Sequence, residues 1–259
     1  MSKLRLIPKL LLKTSKFDST KLVLVVSKQF SSFTEIGDPV SQSKIFQDQM
    51  ADELLFLNID SKNIDTLANI VSEVSKEIFM PLTVGGGVKT LEDFRLLLSS
   101  GADKILVNTE SILNPNLINI ASSKFGSQCV VVGIDYKLHS DGKNVVYRSN
   151  GKIKTDLILE DWILEVVERG AGEIVLTSID RDGMCEGLDL ELFSSLANKV
   201  SIPIVASGGC GVAKHFIDGF QIGEVNAVSA GTFFAHRDQN FIQTRSQIYN
   251  SGINIRKSN

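Results

Sequence analysis

Pro81-Leu82-Thr83-Val84-Gly85-Gly86-Gly87-Val88 is the stretch on which the fold turns. A short apolar run that opens at a proline and ends on glycines reads as a buried parallel strand. Glycines at its end let the backbone approach a ligand closely and aim N–H groups at an anion, with a helix start behind them. Pro203-Ile204-Val205-Ala206-Ser207-Gly208-Gly209-Cys210 has the same form about 120 residues further on. Either triplet alone is a tight turn and no more. Two in matched contexts imply two phosphate sites in one molecule.

Outward from these, apolar strand candidates fall at 4–12, 53–59, 81–84, 104–107, 128–134, 173–178, 202–206 and 225–230. Helix-period segments lie between most of them, at 64–79, 90–99, 115–125, 159–169 and 190–200. Strand and helix alternating in this way predict a closed (β/α)8 barrel rather than an open sheet. The chain of 259 residues has the length of such a barrel and no stretch that reads as a linker, so residues 1–259 form one domain. Residues 14–37 after the first strand, rich in serine and lysine, read as a long loop and a candidate lid.

The two halves echo each other. Asp52-Glu53-Leu54-Leu55-Phe56-Leu57-Asn58-Ile59-Asp60 matches Gly172-Glu173-Ile174-Val175-Leu176-Thr177-Ser178-Ile179-Asp180, and the run from Gly101 to Thr109 matches the run from Glu224 to Thr232. A duplicated half-barrel carries paired ligand sites on one face, which suits a substrate with a phosphate at each end.

A net charge of −3 gives no electrostatic reason to expect nucleic acid. Basic residues gather at the ends (Lys3, Arg5, Lys9 and Lys13, then Arg256 and Lys257) and read as solvated surface. Cys129, Cys185 and Cys210 are odd in number and lack metal-ligand spacing, so no metal or cofactor is expected and a reducing cytoplasm is the expected compartment. Cys129 and Cys210 sit in apolar runs and read as buried thiols. There is neither a signal peptide nor a membrane span to read at the N-terminus.

Chemistry in a barrel sits at the C-terminal ends of its strands. Asp135 closes one such run, and Asp180 and Asp182 follow another. An acid directly behind a buried strand is partly desolvated, which raises its pKa and fits it for proton transfer. Capping a helix or binding a neighbouring loop is the alternative, and it weighs more on Asp180 than on Asp135. Matching Lys13 to Lys137 across the repeat sets Leu11 opposite Asp135, where a symmetric two-acid site would need a carboxylate. At the other ends of the strands stand Arg5, Glu53, Lys104 and Glu173. If inward, they must pair into a ring, since isolated buried charge is prohibitive; four ordinary surface charges are the equal alternative.

Arg5-Leu6-Ile7-Pro8, Gly37-Asp38-Pro39, Asp52-Glu53-Leu54, Val84-Gly85-Gly86-Gly87, Gly101-Ala102-Asp103-Lys104, Asn108-Thr109, Phe125-Gly126-Ser127-Gln128 and the run from Leu176 to Gly183 together resemble the HisF family, the cyclase subunit of imidazole glycerol phosphate synthase, over almost the whole chain. The resemblance implies a barrel docked on a HisH-type glutaminase, whose ammonia passes a charged ring and the barrel core to a phosphorylated substrate at the opposite face. It implies catalysis by Asp135, one phosphate site at Gly87, Asn108 and Thr109, and a second at Gly183, Gly208, Gly209, Ala230 and Gly231, with glycine for serine at the last. It implies an ammonia gate of Arg5, Glu53, Lys104 and Glu173. The family's second catalytic aspartate falls on Leu11, a further strand-end aspartate falls on Asn58, and Ser19 or Lys21 stands near the place of its lid lysine.

The run from Arg5 to Lys13 resembles in particular the WbuZ-type HisF paralogues of bacterial surface-sugar amidination. That resemblance implies ammonia supply for acetamidino-sugar formation beside a separate sugar-activating amidotransferase. An ordinary histidine-pathway cyclase that tolerates Leu11, and a barrel that only conducts ammonia and activates its glutaminase, are the other two readings.

Overall fold

Eight parallel strands close on themselves in the computed structural model, which describes residues 4–60, 63–235 and 241–256. Lys3 and Lys257 of the basic ends lie outside the described residues. Strand β1 (Arg5–Thr14) is followed by β2 (Leu22–Lys28) and β3 (Ser32–Gly37). Then come β4 (Leu54–Asn58), β5 (Leu82–Gly85), β6 (Lys104–Val107), β7 (Val130–Leu138), β8 (Asn144–Arg148), β9 (Ile153–Ile158), β10 (Glu173–Ser178), β11 (Ile204–Ser207) and β12 (Ala227–Ala230). The barrel runs β1-β4-β5-β6-β7-β10-β11-β12 and back to β1, every neighbour parallel. Closure leaves this set without a free edge.

Between the strands lie α1 (Pro39–Asp48), α2 (Ile64–Val74), α3 (Leu91–Ser99), α4 (Thr109–Leu113), α5 (Asn116–Phe125), α6 (Leu159–Glu168), α7 (Leu190–Leu196), α8 (Ala213–Gln221), α9 (Thr232–Ala235) and α10 (Phe241–Asn250). Their local causes are ordinary. In α2, Leu67, Ala68, Val71 and Val74 recur on one face and are buried. A capping box starts α3: Thr90 Oγ1 accepts from the Asp93 N–H at 3.2 Å, and Asp93 Oδ2 accepts from the Thr90 N–H at 2.8 Å. Helices α2 and α7 stop short of the expected 79 and 200. Cys129 lies in a 3-10 turn, Ser127–Cys129, and is half-buried rather than buried in a strand; Cys210 is buried as expected.

Alternation along the strands sorts the core into two compartments. Leu6, Leu10 and Leu12 of β1 join the large layer between strands and helices. Ile7 joins Leu55, Leu106, Val131, Val175, Val205 and Ala227 in a separate cluster inside the barrel.

Residues 14–37 are not the open loop that their serines and lysines predict. Strand β2 pairs antiparallel with the overrunning end of β1, Leu11 opposite Val25 and Thr14 opposite Leu22, and β3 pairs with β2. The second half repeats this: β8 pairs antiparallel with the end of β7, Asp135 opposite Tyr147, and β9 pairs with β8. The duplication therefore reaches its smallest contacts. Asp60 accepts from the Thr14 N–H at 2.7 Å and Asp180 from the Leu138 N–H at 3.0 Å. Asp103 and Asn226 likewise accept from the N–H groups of Leu82 and Ile204, at 2.8 and 3.0 Å.

Candidate active site

The inward face of β1 reads Arg5, Ile7, Lys9, Leu11 from bottom to top. At the bottom the four charges form a closed ring. Arg5 Nη1 lies 2.6 Å from Glu53 Oε2, and Arg5 Nη2 pairs with Glu173. Lys104 Nζ lies 3.0 Å from Glu53 and 2.9 Å from Glu173. Thr83 donates a further bond to Glu53 at 2.6 Å. Both glutamates are buried, so each carboxylate needs these donors to offset its lost hydration. The inner apolar cluster of Ile7 and its neighbours lies beyond the ring on the same strands.

Above that cluster a cavity of ≈ 370 Å³ opens at the C-terminal ends of the strands. Leu11 and Asp135 both line it, as their matched places in the repeat require. Asp135 is buried, and Asn108 Nδ2 donates to its Oδ2 at 2.8 Å. Burial raises its carboxyl to about 7; the Asn108 amide and the Lys9 charge pull the other way, and the Asp182 charge adds to the rise. A group balanced near neutrality can give or take a proton at physiological pH. Among the described residues, Asn108 Oδ1 is buried without a hydrogen-bond partner.

Of the expected phosphate residues, Gly87, Asn108 and Thr109 line this cavity, with Gly86 and Lys89 beside them. Gly183, Gly208, Gly209, Ala230 and Gly231 do not. All stand at the same end of the barrel, the second cluster outside this cavity. A Cβ on Gly183 would lie 2.2 Å from the Ser27 carbonyl of β2, and one on Gly209 would lie 2.1 Å from the Gly187 carbonyl. The glycines also have a packing reason to be glycine. Gly86 and Gly208 have φ of 108° and 93°, and a Cβ would strike the carbonyls of Asn58 and Ser178. Both are repeat-related contacts of one strand end with the next, so glycine here is demanded by the turn before any ligand is considered.

Asp182 is buried and accepts from Ser27 Oγ at 2.5 Å, while Asp180 is exposed and holds the end of β7. Neither lines the cavity. Asp60 and Glu110 do, and Asp60 is bound to Lys13 at 2.8 Å. Asp18, the acid closest to Leu11 along the chain, is half-buried and bonded to Thr20, and it does not line the cavity.

The two hairpins roof the site. Phe30, in the β2–β3 turn at φ 56°, lies where a Cβ on Gly151, in the β8–β9 turn, would come within 3.0 Å of its ring. Asn150 of the second turn donates to the Ile59 carbonyl, and the Ser149 N–H donates to Thr109 Oγ1 at 3.0 Å. Among the described residues no group of three metal-binding side chains comes together, and no helix is long and apolar enough to cross a membrane.

Sequence reasoning missed Lys9. Placed among the basic residues of a solvated end, it is in fact buried and inside the barrel. The signal was there: with Arg5 inward, alternation along an apolar strand puts residue 9 inward too. The Asn108–Asp135 bond was also missed, and no spacing in the sequence foretells it.

A family model described as histidine biosynthesis protein matches residues 6–239. A protein of Prochlorococcus marinus with the provisional name imidazole glycerol phosphate synthase subunit hisF2 is 45% identical over 259 residues, 99% of each chain. The imidazole glycerol phosphate synthase subunit HisF of Gluconacetobacter diazotrophicus is 42% identical over 259 residues, covering 99% of this chain and 97% of that one. That of Anoxybacillus flavithermus is 41% identical over 236 residues, covering 90% and 94%. With the closed barrel, its ion ring and its repeated hairpins, these matches place the chain in the histidine biosynthesis protein family, in its HisF branch.

Proposed function

We propose that this chain is the ammonia-using synthase subunit of a glutamine-dependent pair, joining ammonia to a carbon of a phosphorylated substrate at Asp135. The observation that carries the reading is the alignment of three features on the same strands: the ion ring, the inner apolar cluster and the Asp135 cavity. A HisH-like glutaminase docked over the ring would deliver ammonia through the barrel. The first glycine rim, with Gly87, Asn108 and Thr109 on the cavity wall, is the phosphate end of the substrate site.

Leu11 directs the reaction toward amidination rather than cyclisation. A leucine neither gives nor takes a proton, and losing one of two acid–base groups costs typically ~10²–10⁴-fold. Acetamidino-sugar formation, beside a separate sugar-activating amidotransferase, needs an ammonia source but not the second acid. The names of the HisF relatives favour a second reading, the histidine-pathway cyclase itself. Purified protein given ammonium and the phosphoribosyl-formimino-carboxamide ribonucleotide separates the two. We expect turnover below an authentic cyclase by about the factor above, with partial recovery in Leu11→Asp. Robust cyclisation by the native chain, or growth without histidine of a cyclase-deficient strain carrying it, decides for the second reading.

A further inference from the structure

Beyond its charge acting on Asp135, Lys9 has no role in the site as built so far. Its side chain is only 5% exposed, and its ammonium donates to Ser207 Oγ at 2.8 Å. The nearest carboxylate oxygen, Asp182 Oδ1, stands at 3.8 Å, beyond hydrogen-bond reach. Asp182 is engaged elsewhere, since its other oxygen takes the Ser27 hydroxyl. An ammonium has three donors, and among the described residues one of them is matched at bonding distance. Leaving the others buried and unmatched is costly, and Lys9 lines the same cavity as Asp135, Asn108, Thr109 and Gly87.

We propose that Lys9 is a ligand-contacting residue whose ammonium receives a carbonyl or carboxylate oxygen of a ligand phosphorylated at its other end. The proposal rests on the amination reading, and it names the substrate class: a phosphorylated compound with an oxygen-bearing electrophilic carbon. In the addition step the ammonia lone pair forms the new C–N bond and the C=O pair moves onto oxygen. One proton leaves the nitrogen for the Asp135 carboxylate. Lys9 meets the oxygen as it gains charge, a fixed donor in a site largely screened from water. Asp135 and Lys9 thus divide the two charges of the step between β7 and β1.

Calorimetric titration of the whole chain with stable probes tests this. Aldonate phosphates, phosphoerythronate and phosphoribonate, carry both a phosphate and a terminal carboxylate; ribitol phosphate and inorganic phosphate lack the carboxylate. The native protein should bind one of the aldonate phosphates more tightly than ribitol phosphate. Lys9→Met should remove that preference, a loss of roughly 10–100-fold, and leave ribitol phosphate and inorganic phosphate affinities unchanged. Lys9→Gln, a neutral donor, serves where Lys9→Met does not fold, and should lose most of the preference. If native protein shows no preference, or the preference survives both variants, Lys9 is a structural counter-ion and the proposal falls. Absence of phosphate binding by the native chain overturns the phosphorylated-ligand reading itself; ribonate against ribitol then reads Lys9 alone.

Discussion

Asp135 holds its proton far above the usual carboxylate range because burial penalises its charge more than Asn108 and Lys9 relieve it. The sign of the consequence is fixed. With a folded pKa of about 7 and an ordinary value of 3.8, the folded chain binds this proton more tightly than the unfolded one. The contribution to stability therefore falls as pH rises from about 4 to about 7, then levels off. Asp135→Asn cannot ionise, so it should be more stable than the native chain at pH 9 and nearly equal to it at pH 4. Across that window the native chain should lose at most about 1.4 kcal/mol per pH unit relative to the variant. Urea denaturation of both proteins at both pH values measures it, and an equal difference at the two would refute the burial argument. Activity that uses Asp135 as a base should likewise rise through pH 7. Asp135 is legible in the sequence because an acid behind an apolar run stands out. Lys9 is not, because a lysine near a terminus looks like surface until the inward register of β1 is known.

At the scale of elements, the capping box and the hairpins make opposite points. Thr90-Leu91-Glu92-Asp93 reads as a helix start and is one, since both reciprocal bonds need only local chain. Thr90→Ala should cost about 1 kcal/mol in denaturant unfolding, and a variant as stable as the native chain would deny the cap its role. Residues 14–37 read as a loop because serine and lysine dominate the eye. Yet Leu22-Val23-Leu24-Val25-Val26 is an apolar run with three β-branched valines, and the free side of β1 beyond the barrel rim gives it a partner. We expect amide hydrogens of β2 within the β1 ladder to exchange far more slowly than that of Phe30 at the turn. Uniform fast exchange across 22–37 would restore the open-loop description. The packing at the second glycine cluster is illegible for the same reason: the sequence shows the glycines, not the Ser27 carbonyl that a Cβ on Gly183 would strike.

For the molecule as a whole, the repeat is the strongest sequence signal, and the structure carries it down to paired caps such as Asp60 and Asp180. The ring, in sequence, is an even choice between inward charges and surface charges. The deciding fact, that Arg5, Glu53, Lys104 and Glu173 come from four strands to one point, belongs to barrel closure and not to any local stretch. Lys104→Met leaves two buried carboxylates to share Arg5. It should cost roughly 3–5 kcal/mol, as breaking buried pairs does. It should also uncouple glutamine hydrolysis by a HisH-like partner from the presence of the barrel. Unfolding measurements and a glutaminase assay with and without the variant read the two effects separately. A stable variant that still stimulates the glutaminase fully would mean the ring is surface decoration.

The inner cluster of Ile7, Leu55, Leu106, Val131, Val175, Val205 and Ala227 has a further consequence for what can travel the barrel. It offers no hydrogen-bonding group, so a small neutral molecule crosses at little cost while the same molecule carrying a proton meets a steep solvation barrier. On the ammonia route proposed above the core would act as a charge filter, and nitrogen would reach the cavity as the free base, already holding the lone pair that bond formation requires.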